Sequence, residues 1–255
     1  MLMKTACLAG LLAALSGTAS AVPKLSTVID LTSFRSTLED TDPNDGIVAS
    51  MTEVFQGRSV EACISRPIPA TCSPFHPVGP QVQTLDPGQA IETIGVVPEL
   101  RAEARADATQ LSGVAEGTRP TGDIGARAAE AYRMTFSGAA RYTAEVDYHL
   151  EGSGFDDTFP VGSAIAGMRL ADEGSLWLDQ LLVGSMFQTP SASRHGTLRM
   201  TFDVADRQEF VRITYLFTQT YGPFGPVAPV PEPGTLAMGL TGLALTALGI
   251  RRRRK

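Results

Sequence analysis

The run Arg141–Glu151 alternates without a break. Tyr142, Ala144, Val146, Tyr148 and Leu150 fall on one side, and Arg141, Thr143, Glu145, Asp147, His149 and Glu151 on the other. Strict period two over that length predicts an antiparallel strand with one face in a core and one in water. Tyr132, Met134 and Phe136 keep the same parity upstream, and Ser137-Gly138 between the two runs signals a bulge or a bend. Leu198, Met200, Phe202 and Val204 alternate again. Ala205-Asp206-Arg207-Gln208 offers a turn, and Val211, Ile213, Tyr215 and Phe217 return, so Leu198–Phe217 reads as a hairpin. Repeated short alternating segments separated by turns predict a mostly β chain, an antiparallel β-sandwich of jelly-roll type. The expected core comprises Tyr142, Val146, Tyr148, Leu150, Leu198, Met200, Phe202, Val211, Ile213 and Phe217.

Other segments are less one-sided. Leu31, Phe34 and Leu38 have helical spacing, so one short helix is possible in Thr27–Glu39. Leu100–Leu111 has helix-forming residues, yet a helix would bring like charges four apart: Glu99 with Glu103, Arg101 with Arg105, Glu103 with Asp107. A strand instead alternates the signs of Arg101, Glu103, Arg105 and Asp107 along one face, and a strand is expected. Gly113–Gly125 reads as a long loop, and the apolar run Ser175–Met186 as a buried strand carrying Trp177 in the core, an exposed tryptophan stacked on a sugar ring being the alternative.

The ends of the chain differ from its middle. Met1–Lys4 is a short basic start, Thr5–Leu15 an apolar core, and Ala19-Ser20-Ala21 an A-x-A cleavage site, so 1–21 is expected to be a signal peptide with Val22 the mature start. Residues 22–221 form the expected body and 222–230 a proline-rich linker, extended as polyproline II. At the far end, Pro231-Glu232-Pro233 precedes the uncharged segment Thr235–Ile250 and the cluster Arg251-Arg252-Arg253-Arg254-Lys255. A helix over 235–250 could satisfy its own backbone in lipid. At 1.5 Å per residue it would span roughly 24 Å, short of a hydrocarbon core of about 30 Å. Gly239, Gly242 and Gly249 weaken it further. The basic cluster would stay cytoplasmic. On physics alone this also fits an ordinary C-terminal membrane anchor.

Val230-Pro231-Glu232-Pro233, the Gly/Leu/Ala segment and the arginine cluster, in that order at the extreme C-terminus, resemble the PEP-CTERM sorting signal of Gram-negative bacteria. The likeness covers about a tenth of the chain. It implies recognition by an exosortase, a membrane-embedded enzyme with a cysteine nucleophile. Cleavage near Pro231-Glu232-Pro233 would release the protein or transfer it to the surface. It also implies an association with exopolysaccharide and biofilm. No LPxTG precedes the tail, which excludes the Gram-positive sortase reading.

Six of the 21 basic residues lie in the two end segments, against one of the 27 acidic ones, Glu232. The body is left with 15 basic and 26 acidic residues, a net charge of −11. Such a surface repels nucleic acid and anionic lipid. Cys7 falls within the expected signal peptide, leaving Cys63 and Cys72, an even pair in an oxidising compartment. A bridge between them would staple the loop holding Pro67 and Pro69, worth roughly 2.5–3 kcal/mol by chain entropy. A metal pair is the weaker alternative, since His76 alone completes no site.

Sequence signatures of catalysis are absent: no G-x-S-x-G, H-E-x-x-H, P-loop or G-x-G-x-x-G occurs. His76, His149 and His195 are scattered, with His149 on the polar face of a strand. Asp156-Asp157 and Asp172-Glu173 flank glycines and read as turns before they read as a glycosidase pair. Asp40-Thr41-Asp42-Pro43-Asn44-Asp45-Gly46 fails as an EF-hand, because glycine falls at position 7 and Met51 at position 12. An Asx/Pro turn is the simpler reading, with irregular calcium binding the alternative.

The expectation is therefore a non-enzymatic protein without metal or cofactor. It passes through the inner membrane to the cell surface or matrix, processed by an exosortase, with exopolysaccharide a possible partner. Its role is structural or adhesive. A carbohydrate- or calcium-binding sandwich module is the alternative, and a surface hydrolase a third.

Overall fold

The computed structural model describes residues 22–65, 80–97, 100–117, 123–155, 161–171, 175–184 and 187–221. Several expectations concern residues outside these: the signal peptide with Ala19 and Ala21, Cys72, His76, Asp156-Asp157, Asp172-Glu173, the linker, Pro231-Glu232-Pro233, the segment 235–250 and Arg251–Lys255.

Among the described residues the strands are β1 (Lys24–Asp40), β2 (Ser50–Ser65), β3 (Gln81–Thr84), β4 (Ile91–Val97), β5 (Leu100–Ala106), β6 (Gln110–Gly117), β7 (Asp123–Ser137), β8 (Ala140–Ser153), β9 (Val161–Leu170), β10 (Leu176–Val183), β11 (Ala192–Val204) and β12 (Glu209–Tyr221). They form two six-stranded antiparallel sheets, here A and B, with orders β11-β8-β1-β6-β5-β4 and β10-β9-β12-β7-β2-β3. No described helix is long and apolar enough to cross a membrane. The mostly β, sandwich-like expectation is met. Tyr142, Val146, Tyr148, Leu150, Leu198, Met200 and Phe217 are buried. Leu100–Leu111 contains strand β5, and its alternating charges pair along one face, Arg101 with Glu103 and Arg105 with Asp107.

The core is graded in side-chain size. Ala102, Ala104, Ala106, Ala115, Ala126 and Ala128 line one part of it. There the sheets come so close that a Cβ on Gly113 of β6 would stand 2.7 Å from Leu216 Cδ1 of β12. Elsewhere Phe136, Tyr142, Phe202 and Phe210 fill the gap with ring centroids 5.3–6.3 Å apart. These edge-on and tilted pairs add to area burial.

Four expectations are corrected. Thr27–Glu39 is strand, not helix. The register of β1 against β8 shifts between Asp30 and Arg35, so the inward parity changes and the residues packed on the core, Leu31, Phe34 and Leu38, acquire helical spacing by accident. Gly113–Gly125 is not a loop; β6 and β7 occupy most of it. Leu198–Phe217 is not a hairpin. β11 belongs to sheet A and β12 to sheet B, and Ala205–Gln208 is a corner between them. This reverses the parity of β12: Phe210, Arg212, Thr214, Leu216 and Thr218 are the buried, inward residues. Val211 and Ile213 sit half-buried on the outer face, and Phe202 is also only half-buried. Finally, Ser175–Met186 holds an edge strand, β10, whose Leu176, Leu178 and Leu182 are exposed. Trp177 is half-buried, 6.4 Å from the Phe202 ring.

The bend foreseen at Ser137-Gly138 takes the chain from sheet B to sheet A. Gly138 has φ +82° and its N–H donates to Asp206 Oδ1 at 2.8 Å, tying this corner to the β11–β12 corner. A side chain there would meet the Ala49 backbone at 3.1 Å, so glycine is required for space as well as conformation.

Candidate functional site

Two places concentrate polar side chains. The first is internal. A bulge between Phe55 and Gly57 shifts the register of β2 against β7, so Glu53, Phe55 and Arg58 all face inward. Arg58 pairs with Glu130 at 3.2 Å, both nearly inaccessible, and donates to the Pro87 carbonyl at 2.6 Å. Arg212 donates to Glu53 Oε1 at 3.0 Å and to the Tyr142 hydroxyl at 2.9 Å. Burial pushes the Glu130 carboxyl up, with Arg58 opposing. Both ion pairs lie within sheet B, and Arg212 ties it to sheet A through its hydrogen bond to Tyr142 of β8.

The second lies on the outer face of sheet B. One row across the strands runs Ser59 of β2, Ala129 of β7, Tyr215 of β12, Gly167 of β9 and Leu178 of β10. Because Gly167 lacks a Cβ, the Tyr215 ring lies over its backbone: a Cβ there would be 2.6 Å from Tyr215 Cζ. One row on, Arg127 of β7 stands opposite Glu61 of β2 and Phe217 of β12. One row back, Arg169 of β9 stands opposite Ile213. A groove of about 230 Å³ opens here, lined by Gln56, Ser59, Gln83, Arg127, Arg169 and Ile213 among others. A smaller hollow of about 140 Å³ shares Ser59, Gln83 and Arg127.

The electrostatics of this face are unusual for so acidic a body. Burial lowers the hold of the Arg127 guanidinium on its proton; Glu61 opposes this and neighbouring Arg169 reinforces it. The Tyr215 hydroxyl is pushed up by burial, with Arg169 and Arg127 pulling the other way. Among the described residues Glu61, opposite Arg127, supplies the one carboxylate that acts on that guanidinium. Two guanidiniums thus flank an aromatic ring with a single described carboxylate, Glu61, acting on Arg127, an arrangement suited to holding an anion.

The remaining sequence candidates do not converge. His149 and His195 are opposite each other in register on the outer face of sheet A, away from the groove. Asp40 accepts from the Asp42 and Ala49 amides and Asp45 from the Ile47 amide, so these carboxylates cap turns. Among the described residues no three His, Cys, Asp or Glu side chains are placed to hold a metal ion. Cys63 is buried near the end of β2. Arg127, Arg169 and Tyr215 escape sequence reading because nothing within β7, β9 or β12 marks them; only the register brings Ala129 and Gly167 beside Tyr215.

No protein-family model, no curated protein and no solved structure matches this chain.

Proposed function

We propose that this is an exported, non-enzymatic protein of the cell surface or extracellular matrix, sorted by an exosortase. The observation that carries the reading is the ordered C-terminal sequence: Pro231-Glu232-Pro233, the uncharged span Thr235–Ile250, then Arg251–Lys255. The N-terminal Ala19-Ser20-Ala21 site and a body of net charge −11 support it. The body is a jelly-roll-like sandwich in this reading, in keeping with a chain that crosses between sheets at successive corners. A Cys63–Cys72 disulfide staples the proline-rich loop after export. The C-terminal helix holds the protein in the inner membrane only until it is cut, and the role at the surface is structural or adhesive, in contact with exopolysaccharide.

Glu232 is the only charge between Arg212 and Arg251, and so the mark a processing enzyme meets at the membrane edge. Fractionation of cells making Glu232→Ala tests the reading. Export stays intact and the uncut form accumulates in the inner membrane. Processing as efficient as wild type would contradict it.

A further inference from the structure

We propose that the outer face of sheet B binds a carboxylate-bearing polysaccharide, with Tyr215 stacked against a sugar ring and Arg127 and Arg169 each receiving a uronic-acid carboxylate. The extracellular setting rests on the export reading above; the site itself rests on geometry alone. Tyr215 lies over bare backbone at Gly167, and its neighbours in the row, Ala129 and Ser59, are small. A ring lying low between small residues leaves a flat apolar surface, and the exposed Leu178 extends it. The C–H face of a pyranose fits such a surface, with the negative face of the aromatic ring toward it.

The two arginines decide which sugar. They stand diagonally about Tyr215, four residues apart along β12 and two strands apart across it, with Cα atoms about 17 Å apart by strand geometry. Their heads turn toward one groove, near enough for each to act on the other, and an anionic chain crossing the sheet there meets both. Each guanidinium presents a planar donor fork matched to a carboxylate. Gln83 adds an amide that can bond sugar hydroxyls along the groove. Nucleic acid is a poor occupant. It carries a charge every ~1.7 Å of axis, and a body of net charge −11 repels so dense a polyanion. A polymer with one carboxylate per sugar suits a groove where two arginines act on each other and the Glu61 carboxylate offsets only part of their charge.

The test uses the soluble body as secreted, with polygalacturonate as the probe and dextran and polyphosphate as comparisons, in affinity electrophoresis. Polygalacturonate retards the wild type, and dextran and polyphosphate do not. Arg169→Gln weakens retardation at least about tenfold, while Arg169→Lys recovers part of it and thermal melting stays as in the wild type. Tyr215→Ala weakens binding without altering its salt dependence. No retardation by polygalacturonate, an Arg169→Gln variant that binds like wild type, or stronger retardation by dextran or polyphosphate would each overturn the proposal. None of these outcomes depends on C-terminal processing, so failure here leaves the sorting reading standing.

Discussion

The guanidinium carbon of Arg212 on β12 lies 3.9 Å from the ring centroid of Phe34 on β1, so a cation–π contact joins the two sheets through the core. Arg212 is 2% exposed, donates to Glu53 and Tyr142, and also lies 5.1 Å from the Tyr132 ring centroid. The register shift in β1 and the bulge in β2 aim Phe34 and Glu53 at it.

Truncating this arginine leaves the buried Tyr142 hydroxyl beside a cavity, with Glu53 open to solvent. Arg212→Ala is expected to cost about 3 kcal/mol, read as a fall in the urea midpoint, because it opens a cavity and deprives the buried Tyr142 hydroxyl of its donor, while the partly exposed Glu53 is resolvated. Arg212→Met keeps the stem volume and costs less. A loss below about 1 kcal/mol for Arg212→Ala would show that this tie between the sheets is dispensable.

Close approach of the sheets gives a second test. Gly113→Val should lower stability by about 1–3 kcal/mol through overpacking against Leu216 and Thr218. Chemical unfolding of the variant measures it, and an unchanged midpoint would mean that the small-residue end of the core is loosely packed.

Strand parity was legible where apolar residues monopolised the inward face, as in β8. Alternation points the wrong way in β12, where the inward face carries Arg212, Thr214 and Thr218 and the outward face Val211, Ile213, Tyr215 and Phe217. The inward arginine finds counter-charges on other strands, and the outward apolar residues build the floor around Tyr215. Both facts depend on neighbours distant in sequence, which alternation within one segment cannot report. The local charges of β5 were readable because their partners lie two residues away.

Asp107 carries a pH signature. Burial opposes its ionisation, but hydrogen bonds from the Thr109 hydroxyl, the Thr109 and Gln110 amides and Arg105 hold its carboxyl down at about 2. A carboxylate depressed below its unfolded value stabilises the fold above about pH 4 and loses that contribution as pH falls through about 2. Asp107→Asn keeps a turn acceptor and removes the charge. It should cost about 1–2 kcal/mol at pH 7, and the gap to wild type should close between pH 4 and pH 2. A gap independent of pH in urea melts would exclude the charge as its source.

The cysteine pair gives a chemical readout. Labelling denatured, unreduced secreted protein with a thiol reagent should find no free thiol, and reduction should release Cys63 and Cys72. Two labelled cysteines before reduction would refute the bridge.

The most direct test of the account is the intact mass of the wild-type protein recovered from the cell surface or medium. The account predicts a chain beginning at Val22, ending near Pro231-Glu232-Pro233 and lacking Arg251–Lys255. Surface protein that retains Arg251–Lys255 would contradict exosortase sorting and make the C-terminal segment a plain membrane anchor.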